Sequence, residues 1–226
     1  MGNQEAKQRV DNIELPLKEG VVSTIIENEL FLTGKKGALL SDTYEINHIK
    51  ALVVVCPEQY EYPINKEEIE ILKLPVVDSY NFPLRDYLEK VYEFIDSQIT
   101  QHHPVLVHCD FGVSRSASVV IAYLIRKYQM SLKVAFQYVS DRRHIVCPNP
   151  AFIMQLYEWQ RKYHSCIGSD IDALYIKQLL SVSSLLYRDI PSKSLWNAFI
   201  DSNFDFADAL KSLRKQLASR DLSMEF

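Results

Sequence analysis

The chain of 226 residues is poor in cysteine, has no surplus of basic charge and contains no long hydrophobic run. Its four cysteines, Cys56, Cys109, Cys147 and Cys166, are far apart and form no CxxC pair. That spacing excludes a disulfide framework and a cysteine-rich zinc site, and fits a reducing compartment. Lys and Arg total 25 against 29 Asp and Glu, giving a net charge of -4. A nucleic-acid binder usually shows a basic excess, so that class is set aside. The longest apolar stretch, Ala117 to Ile125, is broken by Ser118 and falls well short of the ~18 residues needed to cross a bilayer. The N-terminal MGNQEAKQRV lacks the apolar core of a secretory signal.

What remains is ordinary globular material, 47% hydrophobic and 24% charged. The length suits one sizeable domain with a small appendage. Residues 1–20 are polar and read as a flexible leader. Their Met1-Gly2-Asn3 start offers Gly2 as a myristoylation site, with Ala6 where the motif wants Ser or Thr, and with Lys7 and Arg9 as basic neighbours. Strands are expected at Glu29–Thr33, Ala51–Val55, Ile71–Val77 and Pro104–Val107. The last three are apolar runs of the kind buried on both faces. Helices are expected at Ala38–His48, Leu84–Ile99, Ala117–Tyr128, Ser131–Arg142 and Pro150–His164. Alternating strands and helices imply an α/β layer with a mostly parallel central sheet flanked by helices. Beyond the small, polar stretch Ser165–Asp170 only helical pattern follows, at Leu174–Leu186, Leu195–Ile200 and Phe206–Leu217, which predicts a small all-α three-helix bundle. The domains are therefore 1–20, 21–165 and 166–226.

The chemistry concentrates in Val105-Leu-Val-His-Cys-Asp-Phe-Gly-Val-Ser-Arg-Ser116. A buried strand, a tight loop and a helix N-terminus in succession point backbone N–H groups at an anion. Arg115 adds a planar fork that matches phosphate oxygens, and Gly112 allows close backbone approach. Cys109, at the centre of such a cradle, is poised as a thiolate nucleophile for a phosphorus atom. Ser116 is placed to donate to that sulfur, and His108 to shape the loop. The phosphate-binding set is Asp110, Phe111, Gly112, Val113, Ser114 and Arg115. Arg142 and Arg143 read as structural or rim charges, and Cys56, Cys147 and Cys166 as small packed or exposed hydrophobes.

This His-Cys-x5-Arg run resembles the signature of the cysteine-based protein tyrosine phosphatases, and its Gly-Val-Ser-Arg-Ser tail resembles the dual-specificity branch. The resemblance runs from about Glu29 to Tyr163 and includes Asn149-Pro150 with Phe152, Gln155 and Leu156. It implies a dual-specificity phosphatase-like fold and hydrolysis of phosphotyrosine, and of phosphoserine or phosphothreonine, through a cysteinyl-phosphate. It also implies a general acid, for which Asp78 lies 31 residues before Cys109 in Pro75-Val-Val-Asp78-Ser-Tyr. Asp86, just inside the next helix, is the competitor. No cofactor and no metal are called for, because loop amides and Arg115 stabilise the transferring group.

Phe111 and Asp110 depart from most relatives, which carry Ala at the position of Phe111. Lipid-directed relatives place Lys where Asp110 and Val113 stand, so phosphoproteins are the expected substrates. The alternative is an inactive phosphoprotein-binding scaffold. The C-terminal segment resembles a ubiquitin-associated domain of the CUE type. The ubiquitin-contacting positions read Leu186-Tyr187-Arg188 and Leu213-Arg214 instead of Met-Phe-Pro and Leu-Leu. Ubiquitin or an intramolecular surface is the corresponding partner expectation, and the cytoplasm, nucleus or a membrane surface the expected location.

Overall fold

A computed structural model gives the structure of the chain. It describes residues 20–65 and 68–164, with 197–198, 201–202, 208, 211–212 and 215. Five strands form one sheet: β1 (Ser23–Ile26), β2 (Leu30–Gly34), β3 (Ala51–Val55), β4 (Glu70–Leu74) and β5 (Val105–Cys109), in the order β1-β2-β5-β3-β4. Only the β1–β2 hairpin is antiparallel. The β2–β5, β5–β3 and β3–β4 pairs are parallel, so the expected mostly parallel sheet is observed.

The helices are α1 (Lys35–Ala38), a single turn, α2 (Ser41–Ile46), α3 (Arg85–Thr100), α4 (Arg115–Lys127), α5 (Leu132–Arg142) and α6 (Pro150–Tyr163). Ser131 caps α5 by accepting from Val134 N–H, and Asn149 caps α6 by accepting from Phe152 N–H with Pro150 at the first turn. The sheet carries a core on each face. Val53, Val55, Val105 and Val107 pack toward α3–α6, while Leu52, Val54 and Leu106 pack with Phe31, Tyr44 and Ile49 on the other side. This is the two-residue alternation of a strand covered on both sides. Helix α4 lies inside the larger core, with every residue from Arg115 to Ile125 buried.

Three expectations are corrected. The run at Ile71–Val77 is not buried on both faces: β4 is the edge strand, and Glu70 and Lys73 are exposed. The helix expected over Ala38–His48 shrinks to α2, Ser41–Ile46, because Leu40 before it is extended, and the turn α1 ends at Ala38. The helix expected from Ala117 begins two residues earlier, which brings Arg115 and Ser116 into its first turn. Strand β1 carries no expectation at all in the sequence reading. The leader (except Gly20) and the three-helix bundle of 166–226 (except the scattered helical positions above) lie outside the described residues. Among the described residues no helix is long and apolar enough to cross a membrane.

The parallel strands β2, β3 and β5 all end on the same side. Ligands of open α/β sheets bind outside the carboxyl ends of their strands. Gly34, Cys56 and Cys109 mark those ends here, and the chain of chemical interest emerges from the central one.

Candidate active site

The Asp110–Ser114 loop leaves β5 and enters α4, and its carbonyls are accounted for one by one. Asp110 O accepts from Lys35 N–H at 2.8 Å, and Val113 O from Cys147 N–H at 2.9 Å. Phe111 O accepts from Arg143 Nη2 at 3.0 Å, and Gly112 O from Arg143 Nε at 2.7 Å. Ser114 O accepts from Ser118 N–H and from Ser118 Oγ, both at 2.8 Å. The carbonyls of residues 110–113 are tied to neighbouring elements and that of Ser114 to its own helix, while Gly112 N–H turns onto Cys109 Sγ, the start of an anion seat above α4. Gly112 has φ +68°, and a Cβ there would lie 2.6 Å from Thr33 O, so this position demands glycine.

Cys109 is buried at the floor of the seat. Its Sγ accepts from Gly112 N–H at 3.3 Å and from Ser116 Oγ at 3.1 Å. His108 is fully buried and takes no part in the seat. Its Nδ1 lies 3.2 Å from Cys109 O, which can only accept, so Nδ1 donates and Nε2 accepts from Tyr62 Oη at 2.8 Å. Burial drives its pKa down to about 4, which leaves it neutral, a strut of the loop as expected.

Arg115 crosses the seat. Nη1 donates to Val76 O at 3.4 Å and lies 3.8 Å from a Glu58 oxygen, while Nη2 pairs with Asp110. Its Nε is buried without a hydrogen-bond acceptor, with Asp78 Oδ2 4.0 Å away. A buried guanidinium N–H without an acceptor is costly, and an anion in the seat would satisfy it. Burial alone would lower the Arg115 pKa, but the facing Cys109, Asp110 and Asp78 outweigh it and hold it above its ordinary value. For Asp110, burial pushes toward the neutral form. The Tyr60 hydroxyl at 2.6 Å and Arg115 overcome that and hold its pKa below the usual carboxylate range.

Asp78 is brought to the same place. Its Oδ1 accepts from Ser114 Oγ at 2.8 Å and from Asn149 Nδ2 at 2.7 Å. Asp86 is elsewhere, at the start of α3 and 3.7 Å from Arg85. Phe111 is 72% exposed, so its bulk projects from the loop and leaves the seat open. Val113 contributes backbone.

Of the structural and rim readings given to Arg142 and Arg143, Arg143 takes the structural one, because it is buried and its guanidinium clamps the loop. Only Arg142 is a surface charge, stacked 3.5 Å from the Tyr138 ring centroid. Glu58, Tyr60 and Lys35 also reach the site and were not foreseen. They arrive from the ends of the neighbouring parallel strands, which no local pattern announces. Cys56 and Cys147 are buried and in no disulfide, and burial together with Asp110 and Glu58 pushes Cys56 up to about 12. Cys166 lies outside the described residues. Among the described residues Cys56, Glu58 and Asp110 bring one ligand atom each within 4.8 Å of one another. Both carboxylates face Arg115, however, and its charge competes with any cation.

A dual specificity phosphatase catalytic-domain model matches residues 30–162. Dual specificity protein phosphatase 1B of Arabidopsis thaliana is 37% identical over 116 residues, which span 51% of this chain and 66% of that protein. Dual specificity protein phosphatase 1 of the same plant is 31% identical over 166 residues, spanning 70% of this chain and 78% of that one. The crystal structure of the human tyrosine phosphatase-like serine/threonine/tyrosine-interacting protein superposes with a TM-score of 0.59 at 28% identity, covering 63% of this chain and 97% of the other.

Proposed function

The chain belongs to the dual specificity phosphatase family, and from that membership we propose that it hydrolyses phosphotyrosine and phosphoserine or phosphothreonine in proteins through a phosphorylated Cys109. The observation that carries this reading is the anchoring of the carbonyls from Asp110 to Ser114 around a buried sulfur that accepts from Gly112 N–H, with the Arg115 Nε–H buried and without an acceptor beside it. The amides and Arg115 hold the non-bridging oxygens of the phosphoryl group. Cys109 Sγ forms a bond to phosphorus as the ester oxygen leaves, and Asp78 gives that oxygen a proton. Water then attacks the phosphocysteine and returns a proton to Asp78. The thiolate leaves with the Ser116 hydroxyl donating to it.

The test is hydrolysis of an aryl phosphate and of phosphotyrosine and phosphothreonine peptides, in EDTA, by wild type, Cys109→Ser and Asp78→Ala. The reading expects turnover of all three by wild type, none by Cys109→Ser and a loss of about 10²–10⁴-fold in Asp78→Ala on the peptides. Binding of phosphopeptide through Arg115 without any turnover would make the chain a scaffold instead.

Residues 166–226 are proposed as a UBA/CUE-like helical domain with ubiquitin as its partner, tested by titrating the chain with monoubiquitin. Gly2 is proposed as an acyl anchor that draws a cytoplasmic protein to membranes, tested by acyl labelling of wild type and Gly2→Ala.

A further inference from the structure

Phe111 is the most exposed aromatic side chain among the described residues, at 72%, and it stands on the phosphate loop itself. The loop does not need this ring for its shape. Lys35 N–H holds Asp110 O, and Arg143 holds Phe111 O. The loop backbone also lies against the end of β2, where a Cβ on Gly34 would come 2.9 Å from the Phe111 carbonyl. It has no room to draw the ring back on that side, so the ring stays at the mouth of the seat. A second exposed apolar side chain stands across from it. Val77, 47% exposed, lies between Val76, whose carbonyl accepts from Arg115 Nη1 at 3.4 Å, and Asp78, whose Oδ1 accepts from Ser114 Oγ at 2.8 Å. The sheet order β1-β2-β5-β3-β4 sets the two on opposite sides. Phe111 rests its backbone on the end of β2, Val77 follows β4, and the seat at the end of β5 lies between them.

We propose that Phe111 is a specificity-determining residue: with Val77 it clasps the aryl ring of a phosphotyrosine and makes the site favour phosphotyrosine over phosphothreonine and phosphoserine. The seat fixes the phosphoryl end of the substrate, so the group carried on the ester oxygen lies beside these two side chains. In phosphotyrosine that group is a flat ring with two apolar faces. It takes apolar surface of Phe111 and Val77 out of water, and phenyl against phenyl adds the attraction of an offset or edge-to-face pair. In phosphothreonine and phosphoserine the ester oxygen carries a carbon that joins the backbone directly. Phe111 and Val77 then meet peptide groups, which lose water and gain no hydrogen-bond partner from a phenyl or an isopropyl. The preference therefore arises from the leaving group's contacts and changes no bond made or broken at phosphorus. It rests on the phosphate seat of the reading above and adds the residue class that seat takes best.

The test uses the full chain and two peptides of one flanking sequence, one carrying phosphotyrosine and the other phosphothreonine. On both, kcat/KM is measured for wild type, Phe111→Ala, Phe111→Trp and Val77→Ala. Binding of both is measured by calorimetry in Cys109→Ser, with and without Phe111→Ala. Wild type is expected to prefer the phosphotyrosine peptide. Phe111→Ala is expected to lower the phosphotyrosine-to-phosphothreonine ratio of kcat/KM by about twofold to tenfold, chiefly through KM. Val77→Ala lowers it by less, Phe111→Trp keeps it, and the Cys109→Ser background shows the same change in the ratio of binding constants. Equal losses on the two peptides in Phe111→Ala, an unchanged ratio, or a wild-type preference for phosphothreonine would overturn the proposal. If wild type binds the peptides and turns over neither, the hydrolytic reading fails by itself, and the calorimetric ratio still decides the role of Phe111. A chain that binds neither peptide would overturn both.

Discussion

Arg143 offers the sharpest perturbation of the loop, because it touches the seat only through the backbone. The residue is 8% exposed and its guanidinium makes four bonds, to Gly112 O at 2.7 Å, Phe111 O at 3.0 Å, Val21 O at 3.2 Å and Ser23 Oγ at 3.3 Å. Burial lowers its pKa, an effect only partly offset by Cys109. Arg143→Met keeps the apolar stem and removes every donor. Two loop carbonyls then lose their partners in a site closed to water, at about 1–3 kcal/mol for each unsatisfied group. A total near ~3 kcal/mol lowers the melting temperature by about 6–12 °C at ~2–4 °C per kcal/mol. The loop amides are oriented by those carbonyls, and a displacement of about 1 Å at a reacting centre costs on the order of 10²-fold. Thermal melting, kcat and KM on p-nitrophenyl phosphate, and vanadate inhibition measure the three consequences. Arg143→Lys recovers part of the stability and little of the rate, because one ammonium cannot span both carbonyls in the fixed fork geometry. A variant that melts with wild type and keeps its rate and vanadate affinity would refute the claim that outward anchoring builds the seat.

Gly112→Ala places a methyl 2.6 Å from Thr33 O at φ +68°, so it is expected to lose turnover and several degrees of melting temperature, both read from the same assays. His108 is neutral in the fold with a pKa near 4, below the unfolded value of about 6.5, so the unfolded chain binds more protons in that window. Stability is therefore full above pH ~6.5 and falls by roughly 3 kcal/mol as pH drops toward 4, in urea titrations at stepped pH. Glu89 has the carboxylate case: bonds from Lys162 and Tyr163, and then Arg126, hold it at about 2. Its contribution is present above the unfolded value of about 4.3 and fades toward pH 2. Glu89→Gln therefore differs from wild type near neutrality, by under ~1 kcal/mol because the side chain is 42% exposed, and converges with it in acid.

Much of the fold was legible because its signals are local. β3 and the start of β5 are unbroken apolar runs rich in valine, and α6 announces itself by Asn149-Pro150 at its first turn. β1 escaped because four residues in a bulged hairpin carry too few alternations to register. The edge position of β4, which exposes Lys73, depends on strand order, and nothing in Ile71–Leu74 encodes that order. The site divides in the same way. Cys109, Gly112, Arg115 and Ser116 fall within eight consecutive residues, and the strand–loop–helix context around them was visible. Arg143 is 31 residues beyond Gly112, and its role exists only once α5 ends beside the loop. Glu58 and Tyr60 reach Arg115 and Asp110 because β3 pairs with β5, a pairing decided by tertiary packing.

The account turns on a covalent phosphocysteine. Wild type mixed with an aryl phosphate, quenched in acid during turnover and digested for mass spectrometry, is expected to carry one phosphoryl group on the peptide holding Cys109, with none in Cys109→Ser. Sustained turnover with that peptide unmodified, or with the phosphoryl group on another residue, would contradict it.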